Sequence, residues 1–365
     1  MKKLNIILLF AGILFLGGLI FNVGASQLWQ ELGLLGWGLI PFVLGEGIAE
    51  MIHTVGWRYC LAEPYRSISW WRLFQIRMAG YAINYLTPTA ALGGEATKVN
   101  LLLSYHRGPK AVSGILIEKF CFAFSQVLFA LIGCIFIVGR VQLSRPLLIS
   151  MLLSVGLVSI GIFTFFLLQK YGKLGALVRW LAARWPGNSS LQNLAAQITG
   201  VDDAMRNFYA QQPRDFLRAM GWHLAGFSVT ILQAWFFLYL LKQGAALPLA
   251  ATVAFLGMWC DLLTFAVPMN MGSLEGTRIV VFKAIGRGAT AGMAYGLAIR
   301  LSQIVWSVFG LALYGWLMAK ENKPVEIAPA PIATHPPISL EQKPKSFNDV
   351  SSPADTTFSG SSSLK

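Results

Sequence analysis

Long apolar runs are the feature that most constrains the fold of this chain. A helix of about 20 residues crosses the ~30 Å hydrocarbon core of a bilayer. Six runs approach or exceed that length, near residues 5–23, 34–54, 111–138, 147–168, 215–241 and 291–318. Charged residues make up 12% of the chain, well below the roughly 25% of soluble domains, and the mean hydropathy is +0.59. The sequence therefore predicts an all-α polytopic membrane protein.

Two further apolar stretches are broken in the middle by proline and glycine. They are residues 78–104, with Pro88, Gly93 and Gly94, and residues 248–286, with Pro268 and Gly272. Proline ends a helix because it lacks an amide donor, and glycine allows a tight turn. Each stretch is therefore predicted to form a re-entrant hairpin of two half-helices. Irregular backbone at membrane depth has to be buried in protein or line a cavity, so the breaks mark a functional site.

The two breaks share a sequence motif. Residues 88–98 and 268–278 both read P-x6-E-x-T-[KR], 180 residues apart. The same offset carries the apolar run 111–138 onto 291–318. A motif and its following span that share one offset indicate an internal duplication. Three spans, an odd number, separate the hairpins, so the copies are predicted to be inverted repeats, the layout of many secondary transporters.

The predicted domain organisation follows from this duplication. Residues 1–320 form one integral membrane domain, with a first repeat at about 34–138 and a second at about 215–318. The segment 169–214 between them is expected to be interfacial or cytoplasmic, because its basic residues alternate with Leu and Trp. Residues 321–365 are rich in Pro, Ser and Thr and are expected to form a disordered cytoplasmic tail.

The positive charge indicates membrane topology rather than nucleic-acid binding. The formal net charge is +13, and the excess lies before residue 320, because residues 320–365 carry five lysines and five acids. With a cytoplasmic N-terminus, most Lys and Arg of the connecting segments fall on the inner side, Arg77 among them. We therefore expect a multi-pass protein of the bacterial inner membrane, with both termini cytoplasmic and no nucleic-acid partner.

Charged residues of the hairpins and spans are the candidates for ligand binding, because charge at membrane depth costs several kcal/mol unless it is paired or hydrated. The second half-helix of each hairpin begins close to a glutamate, and its free amides suit a phosphate or carboxylate. Four cations in nearly equivalent places of the repeats are predicted to line a head-group site. The predicted substrate-binding residues are Asn84, Pro88, Gly93, Gly94, Glu95, Lys98, Glu118, Lys119, Pro268, Gly272, Glu275, Arg278 and Arg300.

Other roles for the hairpin glutamates stay open at this point. Glu95 and Glu275 have three candidate roles. They face a ligand, they couple transport to a proton or cation, or they only stabilise the half-helix starts and hold the neighbouring cations. Glu118 beside Lys119 is also interpreted as a buried ion pair that fixes helix packing.

A second group of polar residues lies near the ends of two spans. Glu46, Glu50 and His53 recur on one helical face, which favours a wetted face near the cytoplasmic end over a metal patch or proton path. His223 stands alone and is expected at the membrane interface.

These motifs resemble a known family. The integral-membrane flippase domain of lysylphosphatidylglycerol synthases and its stand-alone relatives, including proteins encoded near hopanoid genes, are similar over roughly residues 1–320. The residues that carry the resemblance are Asn84-x3-Pro88-x4-Gly93-Gly94-Glu95, Glu118-Lys119, Pro268-x3-Gly272-x2-Glu275-Gly276 and Arg300. The resemblance implies movement of a modified phospholipid between leaflets, whereas aminoacyl transfer belongs to a separate soluble domain. This chain departs from the family at Lys119, where an arginine is frequent, and at residues 269–271.

Translocation or binding of an anionic or amphiphilic lipid, at a midplane site between the hairpins, is the function that these features favour. Membrane lipids are the expected partners, and a second copy of the chain or a lipid-biosynthetic enzyme stays open. A small-solute secondary transporter and an intramembrane enzyme acting on a lipid head group are the alternatives. The sequence contains no HExxH, Gly-x-Ser-x-Gly or Cys/His constellation. We therefore expect no catalytic residue, metal site or cofactor.

Overall fold

The computed structural model describes residues 21, 25–86, 92–106, 110–138, 145–187, 201–264, 267, 270 and 272–321. Within these ranges the chain is helical and contains no strand. The helices are α1 (Ala25–Leu35), α2 (Leu39–Cys60), α3 (Trp70–Leu86), α4 (Leu92–Leu103), α5 (Lys110–Ile137), α6 (Arg145–Lys170), α7 (Leu174–Arg184), α8 (201–211), α9 (Pro213–Leu240), α10 (Leu247–Thr264), α11 (Ser273–Ala284) and α12 (Ala289–Glu321). The predicted span at 5–23 and the predicted tail lie outside the described residues, apart from Phe21 and Glu321.

Six described helical segments are long and apolar enough to cross a membrane. They are Gly33–Cys60, Lys110–Ile137, Leu148–Lys170, Pro213–Leu240, Leu247–Thr264 and Ala289–Ala319. Large apolar side chains stay exposed on their outer faces, such as Ile135 at 78% and Leu157 at 73%. Such a surface suits contact with lipid chains. The prediction of an all-α, multi-pass membrane protein is confirmed.

The broken stretches differ from two equal half-helices. In each one the first helix is long and the second is short: α3 has 17 residues and α4 has 12, while α10 has 18 and α11 has 12. At 1.5 Å per residue, 18 residues extend ~27 Å, close to the width of the hydrocarbon core. The length of α10 therefore makes it a candidate span in its own right. That each hairpin re-enters on the side where it began stays a prediction.

Small residues hold each hairpin together as an antiparallel pair. In the first hairpin, α3–α4, the Gly94 amide donates to Asn84 Oδ1 at 2.6 Å. A Cβ on Gly94 would lie 2.1 Å from the carbonyl oxygen of Gly80, so only glycine permits this approach. In the second hairpin, α10–α11, the Arg278 side chain packs over Gly257.

Helices α2 and α9 pack against each other at the centre of the bundle. They run antiparallel, because residues in contact follow opposite orders along the two helices: Gly38 with Leu240, Gly45 with Gln233, and Gly56 with His223. In the predicted duplication, α2–α5 form the first copy and α9–α12 the second, so α2 and α9 are equivalent helices. Antiparallel packing of equivalent helices is the arrangement that inverted copies require.

The last helix of each copy packs on the hairpin of the other copy. Helix α12 lies along α3, and α5 lies along α10. Gly310 of α12 meets Met78 and Ala82, and Gly133 of α5 meets Phe255. Neither copy therefore buries its own hairpin alone, and the described helices form one packed unit.

We expect Gly310→Ala to destabilise the bundle and Gly315→Ala, on the same helix, to leave its stability unchanged or slightly higher. A Cβ at position 310 would lie 2.2 Å from the backbone oxygen of Met78, whereas nothing lies within 4 Å of one at position 315. Overpacking costs about 1–3 kcal/mol, and replacing an unconstrained helical glycine by alanine gains about 1 kcal/mol. Thermal unfolding of the detergent-solubilised protein measures the difference. A melting temperature of Gly310→Ala at or above that of Gly315→Ala would contradict the packing of α12 on α3.

Candidate functional site

A polar cavity of about 190 Å³ lies between the two copies. Helices α2, α9, α10, α11 and α12 contribute most of its wall, and α5 contributes Phe122. The charged or titratable side chains in the wall are Glu46, Glu50, His53, Asp261, Arg278 and Tyr295. Polar groups inside a bundle of membrane spans are costly unless they are paired, hydrated or liganded. The cavity is therefore the candidate site for a polar ligand.

Arg278 is the cation of the cavity wall. Its Nη2 donates to Asp261 Oδ2 at 2.8 Å, and its Nη1 donates to the carbonyl oxygen of Gly257 at 3.3 Å. Arg278 Nε and Asp261 Oδ1 are buried and make no hydrogen bond within the described part of the chain. A buried donor or acceptor without a partner costs about 1–3 kcal/mol. Because Arg278 and Asp261 both line the cavity, this pair is suited to a ligand that offers an acceptor beside a donor.

The opposite wall of the cavity is acidic. Glu46 accepts a hydrogen bond from Tyr81 Oη at 3.3 Å, and Glu50 binds the guanidinium of Arg77 behind the wall at 2.5 Å. The described lining therefore carries three carboxylates and one guanidinium. It suits a head group that donates hydrogen bonds as well as one that accepts them.

A chain of alternating charges leads from the cavity into the first copy. Arg77 joins Glu50 to Glu118, whose Oε1 lies 2.8 Å from Arg77 Nη1, and Glu118 Oε2 lies 3.1 Å from Lys98 Nζ. Arg77, Lys98 and Glu118 are 7%, 5% and 2% exposed. Each charge has an opposite neighbour, and such pairing allows charge to stay at this depth.

The chain continues from Lys98 to the outer surface of the first hairpin. Lys98 Nζ lies 2.5 Å from Glu95 Oε2, and Glu95 Oε1 lies 2.9 Å from Lys119 Nζ. The Lys119 side chain is 46% exposed, so this residue forms the solvent or head-group end. We call this set of six residues the ion-pair chain; in order of contact they are Glu50, Arg77, Glu118, Lys98, Glu95 and Lys119. Glu118 pairs across helices rather than with its neighbour Lys119, because successive residues of a helix do not face each other.

The second hairpin uses a separate pair. Glu275, which is fully buried, binds Arg300 of α12 with both carboxylate oxygens. Arg300 Nη2 also donates to the carbonyl oxygen of Asn270 at 2.8 Å, just before α11. Glu95 and Glu275 occupy the same place in the repeated motif, and each binds the cation of the following span. The open role of holding the neighbouring cation is therefore seen for Glu95, which also binds Lys98, whereas Glu275 binds Arg300 and its neighbour Arg278 binds Asp261.

The predicted residues fall into three groups. Pro88 and Pro268 lie outside the described residues. The Gly94 amide donates to the Asn84 side chain, and the Gly93 carbonyl accepts from the Thr97 hydroxyl, so both backbone groups are bonded within the protein. Gly272 precedes α11 with φ +74°. The remaining residues are charged and lie in the ion pairs described above.

The predicted cationic lining is wrong in one respect. Lys98, Lys119, Arg278 and Arg300 do not share one surface, since among the described residues only Arg278 of these four lines the cavity. Each of the four is bound to a carboxylate instead. Their nearly equivalent places along the chain reflect equivalent ion pairs in the two copies rather than one common site.

Three expectations about other polar residues also differ from the structure. Arg77 is buried in α3 rather than placed in a cytoplasmic loop. Glu46, Glu50 and His53 line the central cavity rather than a wetted helix end. His223 is fully buried, not interfacial, with Nδ1 3.0 Å from His53 Nδ1. A sequence signal for this contact exists, because His-x2-Gly occurs at both 53–56 and 223–226.

Comparison with known proteins agrees with a membrane-embedded fold. The family model described as the lysylphosphatidylglycerol synthase TM region matches residues 6–311. A UPF0104 membrane protein of Methanothermobacter thermautotrophicus is 27% identical over 167 residues, 45% of this chain. The matched stretch spans 49% of that relative's length. No solved structure matches the chain.

We expect Glu118→Gln to destabilise the protein far more than Asp203→Asn. Both changes turn a carboxylate into an amide, but the Glu118 side chain is 2% exposed and the Asp203 side chain, paired with Arg206, is 59% exposed. Breaking a buried pair costs about 3–5 kcal/mol because it leaves charge uncompensated, whereas an exposed pair contributes about 0–1 kcal/mol. Thermal unfolding in one detergent compares them. Equal melting temperatures would show that Glu118 does not hold Arg77 and Lys98.

Proposed function

Because the chain belongs to the family defined by the transmembrane region of lysylphosphatidylglycerol synthases, we propose that it moves an amphiphilic lipid between the leaflets of the membrane. The polar head group passes through the central cavity, and the acyl chains stay in the bilayer. The observation that carries the proposal is the polar cavity between two antiparallel copies, inside a bundle whose outer faces are apolar. Sites between inverted copies, near the middle of the bilayer, are typical of secondary transporters.

The size of the cavity supports a head group as the cargo. Its volume of about 190 Å³ lies below the ~300–1,000 Å³ of pockets that enclose drug-sized ligands. An intact lipid with two acyl chains therefore exceeds the cavity, whereas a small polar group fits. The exposed apolar side chains of the spans, such as Leu153 at 69%, offer the acyl chains a surface outside the bundle.

The chemistry of the wall supports a phospholipid head group that carries a further polar substituent. The Arg278 guanidinium, which lines the cavity, can donate to a phosphate oxygen, which bears negative charge. The carboxylates of Asp261 and Glu46 can accept hydrogen bonds from a hydroxyl or amino group on the same head group. The substrate class is thus an anionic or zwitterionic phospholipid with a donor beyond its phosphate.

The proposal is transport rather than catalysis, in the inner membrane of a bacterium with both termini in the cytoplasm. The distribution of Lys and Arg between the connecting segments supports that orientation. An enzyme acting on the head group would change the mass of a lipid in proteoliposomes, and a small-solute carrier would be inhibited by free glycerol phosphate. Neither effect is expected.

We expect Arg278→Gln to slow the exchange of fluorescent phosphatidylglycerol between the leaflets of proteoliposomes by about tenfold, the effect of losing about 1.4 kcal/mol of head-group binding. Lys283→Gln makes the same change on the exposed face of α11 and is expected to leave the rate near that of wild type. Quenching of the outer leaflet by dithionite measures the exchange.

Two controls keep this result interpretable. Asp261→Asn retains Arg278 and removes one of the acceptors, so it too should slow exchange, and both variants are compared with wild type by elution profile and melting temperature. A folded Arg278→Gln variant that exchanges lipid at the wild-type rate would contradict passage of the head group through the cavity.

A further inference from the structure

Two buried histidines meet where the equivalent central helices cross. His53 of α2 and His223 of α9 are 4% and 0% exposed, and their Nδ1 atoms lie 3.0 Å apart. The rings of Phe122 and Phe227 lie with their centroids 4.9 Å from that of His53. The contact is therefore a polar bond between the two copies in otherwise aromatic surroundings.

The surroundings of the two histidines repeat in the two copies. Each histidine precedes a glycine by three residues, and each ring packs on the glycine of the other helix. A Cβ on Gly226 would lie 2.5 Å from the His53 ring, and one on Gly56 would lie 3.0 Å from the His223 ring. The packing of the two histidines on the two glycines is therefore reciprocal. The glycines leave room for the rings, so the histidine contact is a built feature of the α2–α9 interface.

A contact of 3.0 Å between two Nδ1 atoms contains one hydrogen, because a neutral imidazole has one donor and one acceptor nitrogen. The donor ring carries its proton on Nδ1, so its Nε2 has a free lone pair. A proton added to that Nε2 gives a singly charged pair that keeps its hydrogen bond. A second proton would set two N–H groups against each other and break the contact. The pair therefore has room for one added proton.

The cavity provides the route for this proton. His53 lines the cavity, whereas His223 is absent from the described lining and its Nε2 is buried without a hydrogen-bond partner there. Histidine is the side chain whose charge changes most readily near neutral pH. A proton from water or from a head group in the cavity thus reaches the pair through His53, with His223 as the acceptor of the shared hydrogen.

The charged groups around the two histidines belong to the ion-pair chain and to the cavity wall. Glu50 and Glu46 lie on the helix of His53, Arg77 on α3 and Glu118 on α5, and the fields of Glu50, Arg77 and Glu118 reach the pair. Across the cavity, α10 and α11 contribute the bonded pair of Asp261 and Arg278, and α12 contributes uncharged residues. A positive charge on the pair attracts the two glutamates that hold Arg77. Proton binding therefore weakens the inner end of the ion-pair chain.

We propose that the His53–His223 pair binds one proton from the central cavity and that this proton is the coupling ion of translocation, an inference that rests on the proposed function. Binding occurs at the contact between the copies, and its charge acts on the ion pairs that hold the first hairpin. One proton is then taken up or released as the copies move relative to each other.

Imidazole spectra test the proton site without any transport assay. The chain has four histidines, so His106→Gln with His335→Gln leaves the pair as the only imidazoles. With ¹⁵N-labelled histidine in nanodiscs, we expect coupling between the two Nδ1 nuclei and uptake of one proton as the pH is lowered. His223→Gln in this background should abolish the coupling. Uncoupled nuclei, a spectrum that stays unchanged as the pH is lowered, or spectra altered by a chelator, which would indicate a metal site, would overturn the inference.

Leaflet exchange under a pH gradient tests the coupling. In proteoliposomes with fluorescent phosphatidylglycerol, a gradient across the membrane should change the wild-type exchange rate several-fold, and His223→Gln should not respond to it. His106→Gln, the same substitution at an exposed position, should respond as wild type does. Wild-type exchange that ignores the gradient would refute the coupling and leave translocation intact. No wild-type exchange under any gradient would refute translocation. The imidazole spectra alone would then decide whether the pair binds a proton.

Discussion

Most of the charged side chains that the described helices bury lie next to an opposite charge, and much of the bundle is arranged around these pairs. An isolated charge among membrane spans costs several kcal/mol. The ion-pair chain avoids this cost by alternating three acids and three bases, so that each of the buried members Glu50, Arg77, Lys98 and Glu118 touches an opposite charge. Because these residues come from α3, α4 and α5 and bind Glu50 of α2, their bonds fix the register of the whole first copy. The rigidity of the hairpin is thus electrostatic as well as steric.

The two copies share a scaffold but differ in their chemistry. Both pair the hairpin glutamate with the cation of the following span, Lys119 in one copy and Arg300 in the other. Glu118 precedes the first of these cations, whereas Ile299 precedes the second and lines the cavity. The first copy therefore contains a continuous set of ion pairs. Apart from the residues of α2 and α9, most of the cavity wall is formed by residues of the second copy. In the predicted duplication, the ion-pair chain thus lies in one copy and most of the cavity lining lies in the other.

Local sequence patterns were enough to predict five of the six candidate spans and the two breaks, because the length of an apolar run and the position of a proline act within a few residues. The partners of the charged residues were not predictable in this way. Arg77 and Glu118 are 41 residues apart and His53 and His223 are 170 apart, so only tertiary packing brings them together. The sequence indicates that a cation lies at membrane depth but not which carboxylate neutralises it. For that reason the four equivalent cations looked like a single lining.

The asymmetry of the copies has a consequence for movement. In transporters built from inverted repeats, the opposite-facing state arises when one repeat or bundle rocks against the other around the site. Under the proposed function, that movement requires the ion-pair chain to loosen, because its bonds join α2 to α3, α4 and α5. Removing one partner of a buried pair costs about 3–5 kcal/mol, which makes spontaneous opening rare. Under the proposed coupling, a positive charge at the histidine contact lowers this cost, because it attracts Glu50 and Glu118 when Arg77 separates from them. The burial of charge that stabilises the resting bundle is then also the barrier on which a coupling ion can act.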